Sequence, residues 1–111
     1  MKRKNFLLVV QSPALQAEHA RIKDAVHYHS GGDYIEVFKE TSAPRGSKAS
    51  GTEIPFTVAY LFSTETHPTE MGFGLLTGDT YLLLEVGATN WADGFSRVRL
   101  WLDRHRPQEF D

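Results

Sequence analysis

The segment from Thr80 to His105 constrains the fold more than any other part of the chain, because it predicts a strand, a turn and a helix in close succession. Thr80–Val86 is leucine-rich and is followed by Gly87, which is typical of a buried strand that ends in a turn. Asn90 and Asp93 have the spacing of a helix capping box. Behind them, apolar residues recur at helical spacing, at Trp91, Phe95, Val98 and Leu102. This succession indicates a mixed domain in which helices cover a sheet.

Three more strands and a second long helix are predicted in the rest of the chain. The strands are expected where apolar residues run together or alternate, at Asn5–Gln11, Asp33–Glu40 and Ile54–Ser63. The helix is expected to begin at Ser12-Pro13, since proline is favoured at the first helical position. Gly31 and Gly32 are expected to end it, because glycine adopts the left-handed conformation at no steric cost.

The remaining segments connect these elements. Thr41–Glu53 is small, polar and rich in turn residues, which predicts a flexible hairpin loop between two strands. A short helix is expected to open at His67-Pro68 and to continue through Leu76, although Gly72 and Gly74 weaken it.

In the strand at residues 33–40, alternation predicts two faces, with Ile35 and Val37 on one and Tyr34, Glu36 and Phe38 on the other.

The predicted order is strand, helix, strand, strand, short helix, strand, helix. This order favours an α+β fold, a ferredoxin-like βαββαβ plait with an additional C-terminal helix. The 111 residues are enough for one domain, and 41% of them are hydrophobic, so residues 1–111 are expected to share a single core.

Composition excludes several classes of protein. There is no cysteine, so disulfides, thiolate metal sites and cysteine nucleophiles are excluded. The longest apolar run, Phe6–Val10, is far shorter than the roughly 20 residues of a membrane-spanning helix. A net charge of −2 gives no overall attraction to nucleic acid. These features predict a cytoplasmic protein that does not bind a membrane.

The C-terminal segment also carries a family resemblance. Leu84-Glu85-Val86-Gly87, Asn90-Trp91-Ala92 and Trp101-Leu102 resemble the close of small ferredoxin-like proteins related to the CRISPR-associated endoribonuclease of the spacer-adaptation module. The resemblance implies a dimer whose first strand ends in an aspartate that holds a hard cation. In this chain that strand ends at Gln11, and a neutral amide is a poor magnesium ligand. We therefore predict no catalytic residue, no metal and no cofactor.

Other candidate ligands are a histidine pair and scattered carboxylates. His27 and His29 lie about 200° apart around a helix, which favours helix-end and dimer contacts over a shared ion. His19, about two helical turns from His27, is also too far for a simple shared site, and a zinc or acid–base site with Asp24 nearby is the alternative. Glu85 interrupts an apolar strand and is expected to pair with a cation of the last helix, Arg97 or Arg99.

Basic residues offer a second kind of site. Arg45 and Lys48, together with Lys39, are candidate contacts for a nucleic-acid backbone, although a solvated hairpin tip is the first interpretation of Arg45 and Lys48. Lys2-Arg3-Lys4 is interpreted first as a solvated terminus and second as a phosphate contact.

The resulting prediction is a small, non-catalytic homodimeric protein that acts by binding. Trp101 lies off the apolar stripe of its helix, so it is expected to be exposed and to form an interface with Tyr34 and Phe38. One alternative is a metal-dependent ribonuclease in which Asp33, Glu36 or the histidine pair replaces the missing carboxylate. The other is a nucleic-acid-binding module, and a protein partner of another kind also remains open.

Overall fold

The computed structural model describes residues 3–13, 19–41, 56–76, 78–87, 90, 92 and 94–105. These residues form a mixed α+β domain of four strands and two helices. The elements are β1 (Lys4–Ser12), α1 (His19–Ser30), β2 (Tyr34–Thr41), β3 (Phe56–Thr64), a 3-10 turn (Pro68–Glu70), β4 (Thr80–Val86) and α2 (Ser96–Arg104). The prediction of four strands and their order along the chain is confirmed. The expected helix start after Pro13 and the start of the third strand at Ile54 lie outside the described residues.

The four strands form one antiparallel sheet in the order β2-β3-β1-β4. The central strand β1 pairs with β3 from Lys4 opposite Thr64 to Ser12 opposite Phe56, and with β4 from Asn5 opposite Val86 to Gln11 opposite Thr80. Strands β2 and β4 are therefore the two edges. This order is compatible with a ferredoxin-like plait.

One face of the sheet carries the larger core. Side chains of β1 and β3 that lie opposite each other point to this face, and α1 covers them with Ile22 and Val26. Phe73, from the segment between β3 and β4, completes the cluster and is 5% exposed. The sheet contributes Phe6, Leu8, Val10, Val58, Tyr60 and Phe62. The alternation of the strands explains why these residues share one face.

The other face is covered by α2, so the two helices lie on opposite sides of the sheet. Val98, Trp101 and Leu102 pack there on Leu61. Trp101 is only 2% exposed, and the expectation of an exposed ring is wrong. The reason is the helix start: α2 begins at Ser96, after Phe95, and its buried stripe follows Val98 with residues three and four positions later.

Phe95 itself differs from its prediction in the same way. It precedes α2, makes no side-chain cap hydrogen bond and is 48% exposed, whereas the sequence predicts it in the core. Of the predicted capping box, Asn90 bonds the carbonyl of Gly87 at 2.9 Å, and Asp93 lies outside the described residues, as does Trp91.

A β-bulge changes the faces of β2. Ile35 lies opposite Leu61, but the register shifts between Glu36 and Phe38, and Phe38 lies opposite Ala59. Leu61 and Ala59 are two residues apart on β3, so Ile35 and Phe38 share the α2 face. The prediction that Phe38 shares a face with Tyr34 and Glu36 is therefore wrong, because simple alternation does not survive an inserted residue.

The segment between β3 and β4 does not form the predicted short helix. Among its described residues, helical structure is limited to the 3-10 turn at Pro68–Glu70, and residues 71–76 are irregular. Gly74 has a φ of 66°, a left-handed conformation that interrupts any helix at this point. The buried ring of Phe73 attaches this segment to the core.

Candidate interaction surface

The outer edge of β4 is the most distinctive surface of the molecule. Tyr81, Leu82 and Leu84 are 58%, 51% and 47% exposed, although the sequence predicts a buried strand here. β4 pairs with β1 along one edge, and no other described strand pairs with its outer edge. Exposed large apolar side chains on an unpaired strand edge are unusual in a monomer, because such an edge is a template for pairing.

The position of α2 explains this exposure. Leu82 and Leu84 lie opposite Val9 and Leu7 of β1, on the face that α2 covers. However, the α2 cluster reaches only Val86 of β4, so the two leucines lie beyond its cover. Tyr81 points to the other face, where its ring centre is 6.4 Å from that of Phe73. The uncovered strand therefore presents apolar groups on both faces of the sheet.

The opposite edge, β2, has a different character. It contains the bulge between Glu36 and Phe38, and Glu36, Lys39 and Glu40 are exposed. A bulge and exposed charges both prevent a second strand from pairing. β4 is paired with β1 without a register shift from Gln11 opposite Thr80 to Asn5 opposite Val86. Only one of the two edges is therefore suited to strand addition.

The structure separates the three residues predicted as an interface. Tyr34 is half-buried on the α1 face, in edge contact with the rings of His27 and Tyr60. Phe38 is half-buried on the α2 face, and Trp101 is in the core. The three side chains form no common surface, and an interface role for Tyr34 or Phe38 stays a prediction.

The apolar character of β4 is visible in the sequence, because its consecutive leucines lie on both faces of the strand. That pattern is equally typical of a strand that is covered on both faces, so it does not reveal the exposure.

A polar network joins the N-terminal strand to the end of α2. Arg3 donates through Nη2 to the carbonyl of Ser30 at 2.8 Å and through Nε to Ser63 Oγ at 3.1 Å. Asp33 lies 3.9 Å from Arg3, and both of its carboxylate oxygens lie 2.8 Å from His105 Nε2. The Arg3 side chain is thus structural, contrary to its interpretation as solvated. The Asp33 carboxylate takes part in this network. It lies near Ser63, at the other end of β3 from Thr57, which is the residue opposite Gln11.

His105 is held from both sides. Its Nδ1 lies 2.8 Å from the carbonyl of Trp101, and its ring stacks on the Trp101 indole with centres 4.0 Å apart. The carbonyl and the Asp33 carboxylate are both hydrogen-bond acceptors, so each ring nitrogen of His105 lies beside one acceptor. Asn5 Nδ2 also donates to the carbonyl of His105. These contacts fix the end of α2 against the sheet.

A second buried carboxylate, Asp79, lies near the end of β1. Its side chain is fully buried, and its Oδ2 accepts from Arg21 Nη2 at 2.7 Å and from the Leu76 backbone N–H at 2.8 Å. Its Oδ1 accepts from the Ser12 hydroxyl. Burial alone raises the pKa of this carboxyl, but the hydrogen bonds from Leu76, Ser12 and Arg21 outweigh it and hold the pKa below its usual value. Asp79 is therefore a charged structural anchor.

In the family that this chain resembles, the nuclease carboxylate is expected at the end of β1, where this chain has Gln11. Gln11 lines a cleft of about 320 Å³ there with Ser12, Pro13, Thr57 and Thr80, and the described lining holds no carboxylate. Within the described part of the chain, no group of three or more histidine, aspartate or glutamate side chains is placed to hold a metal. His29 Nε2 contacts the backbone of Gly72 at 3.0–3.1 Å, and the side chain of His19 lies outside the described residues.

The predicted basic sites have mixed outcomes. Arg45 and Lys48 lie outside the described residues, and Lys39 is exposed on β2. Glu85 does not pair with the last helix. It lies 3.7 Å from Lys4 Nζ, and both side chains are more than half exposed. The expectation of a buried Glu85 is wrong because its strand is an edge, where a charge stays in water.

No protein-family model, curated protein or solved structure matches this chain. In the described residues, no helix has the length and apolar character needed to cross a membrane.

Proposed function

We propose that this protein is a small, cytoplasmic, non-catalytic binding protein that assembles as a homodimer through β4. The observation that carries the proposal is the uncovered, apolar outer edge of β4, whereas the opposite edge of the sheet, β2, is protected by a bulge and by charges. The proposal includes a ferredoxin-like plait, supported by the strand order β2-β3-β1-β4, with α2 as the additional C-terminal helix on the opposite face.

A second copy of the chain is the occupant that fits this edge best. Two β4 strands related by a twofold axis pair antiparallel, and a pairing centred on Leu83 overlaps the whole strand, with Thr80 opposite Val86. Leu82 then lies opposite Leu84 of the other copy, so four half-exposed leucines meet on one face. Cross-strand apolar pairs of this kind stabilise a sheet, each by up to about 1 kcal/mol.

The polar residues agree with the same register. Tyr81 lies opposite Glu85 of the other copy, so its hydroxyl is within reach of a carboxylate, and Glu85 never meets its own copy. Because Glu85 already lies beside Lys4 in its own chain, the pairing places no two like charges opposite each other. The edge is thus complementary to itself in apolar character and in charge.

The test is the mass of the protein in solution, measured by light scattering after size exclusion. We expect twice the 12.5 kDa of one chain. Replacing Leu82 and Leu84 both by lysine places like charges opposite each other and is expected to give a monomer. Replacing Leu82 by lysine and Leu84 by glutamate places opposite charges in both cross-strand pairs and is expected to retain the dimer at low salt.

These two variants are matched in polarity and position, so their difference isolates pairing across the axis. A monomeric wild type, or a double-lysine variant that stays dimeric, contradicts the proposal. Cleavage of labelled RNA that is lost on chelation of magnesium or manganese contradicts its non-catalytic part, independently of the mass.

A further inference from the structure

A cleft of about 430 Å³ lies along the β2 edge, on the side of the molecule away from β4. Its walls come from both helices: α1 contributes Lys23 and His27, and α2 contributes Arg97. The two helices cover opposite faces of the sheet, so these side chains meet only around the strand edge. Tyr34 and Glu36 of β2 also line the cleft.

The two cationic side chains of this cleft are available to bind an anion. In the described part of the chain neither Lys23 nor Arg97 is in an ion pair, and both are exposed. By contrast, Arg3 and Arg21 are bound to carboxylates of their own chain. Lys23 and Arg97 outnumber the one carboxylate of the lining, Glu36, so the cleft keeps a net positive charge that attracts an anion. The edge strand adds backbone N–H groups that point away from the sheet.

Gly32 lies beside His27 in the lining of the cleft. Gly32 has a φ of 93°, and a Cβ on it would lie 3.4 Å from His27 Cε1. A side chain here would therefore be strained, and its Cβ would contact the imidazole. His27 is exposed, and its ring is in edge contact with that of Tyr34, with ring centres 5.8 Å apart.

From this arrangement we infer that the cleft binds a phosphate-bearing ligand with a hydroxyl or amino donor near the phosphate, the chemistry of a nucleotide. Lys23 and Arg97 neutralise the phosphate, and the arginine fork suits its oxygens. Glu36 cannot face the phosphate without repulsion, so it accepts from a ligand donor instead. The volume of the cleft is within the range of small-molecule sites. The inference does not depend on the dimer, because it uses the other edge of the sheet.

The experiment titrates the full-length protein with adenosine monophosphate, inorganic phosphate and a short single-stranded RNA, followed by calorimetry and by amide chemical shifts. We expect binding of adenosine monophosphate with shifts centred on residues 32–36. Lys23→Ala and Arg97→Ala are each expected to weaken it about tenfold, the effect of losing one charged hydrogen bond. Arg104→Ala is the control, since it removes an exposed cation of the same helix outside the cleft.

Glu36→Gln separates the two halves of the inference. It is expected to weaken binding of the mononucleotide, which loses the acceptor for its hydroxyl or amino donor. Binding of inorganic phosphate is expected to stay the same or to become tighter, because the charge of Glu36 opposes the phosphate. Tighter binding of the RNA, with the same sensitivity to Lys23 and Arg97, identifies a strand as the source of the phosphate. No binding of adenosine monophosphate, or equal losses in Arg104→Ala and Arg97→Ala, overturns the inference. All the variants change exposed residues, so unchanged melting temperatures are expected.

Discussion

At the scale of single residues, Asp79 holds three parts of the fold together. Its buried carboxylate joins Ser12, Arg21 and the backbone of Leu76, and so connects β1, α1 and the turn before β4. Asp79→Asn keeps the shape but places an amide donor against the guanidinium of Arg21. Because this removes the carboxylate from a largely buried ion pair, we expect a loss of about 3 kcal/mol in the free energy of unfolding at neutral pH, measured by urea denaturation.

The acid range gives the same prediction a second readout. The pKa of Asp79 is lowered in the folded protein, so the unfolded state binds its proton first as the pH falls. Its stabilising contribution is complete above the pKa of an unfolded aspartate, near about pH 4, and is lost as the pH falls through the folded value. The difference between wild type and Asp79→Asn should therefore shrink below about pH 4. Asp24→Asn, at an exposed position of α1, should change stability by less than about 0.5 kcal/mol.

The sequence does not distinguish the two carboxylates that matter here. Glu85 interrupts an apolar strand and is predicted to be buried, yet it is exposed, whereas Asp79 looks like an ordinary turn residue and is fully buried. Local pattern describes the neighbours of a residue along the chain. The environment of Asp79 depends on Arg21, which is 58 residues away in sequence, and no spacing rule connects the two.

At the scale of elements, strands were more predictable than the last helix. The ends of β4 were predicted correctly, because strand periodicity needs only its own residues. The capping-box spacing predicts that α2 begins near Asn90, but the structure begins the helix at Ser96, with Phe95 at the cap position and no side-chain cap hydrogen bond. That shift moves Phe95 out of the core and Trp101 into it. The bulge in β2 has the same effect on Phe38, since one inserted residue reverses the faces that follow it.

Two neighbouring positions of α2 test this assignment. Trp101 is 2% exposed and Leu100 is 63% exposed, so they differ in environment and not in secondary structure. We expect Trp101→Ala to lower the free energy of unfolding by about 3 kcal/mol through lost contacts and a cavity. Leu100→Ala should change it by less than about 0.5 kcal/mol. Comparable losses in urea denaturation would mean that the face of α2 toward the sheet is different.

At the scale of the whole molecule, the element order predicted the sheet but not the way it is covered. Short connections and alternating strands favour one antiparallel sheet, as found. Whether each face and edge is covered depends on where the helices pack, and the connection between β3 and β4 shows only a 3-10 turn in its described residues. With α1 and α2 on opposite faces, β4 is left as an apolar edge, and this exposure could not be derived from the strand's own sequence.

The register proposed for two β4 strands can be tested directly with introduced cysteines. Because the chain contains no cysteine, a single introduced thiol can form a disulfide only with the same thiol of another copy. Leu83 lies on the twofold axis, so the thiols of Leu83→Cys in two copies meet within the few ångströms that a disulfide requires. Thr80→Cys lies opposite Val86, and its own copy is six residues further along the strand, about 20 Å away. Mild oxidation should therefore link Leu83→Cys into a covalent dimer and leave Thr80→Cys unlinked. A dimer by mass in which neither variant is linked would place the contact on another surface. Efficient linking of Thr80→Cys would show that the strands pair in a different register, because only a pairing centred near residue 80 brings those thiols together.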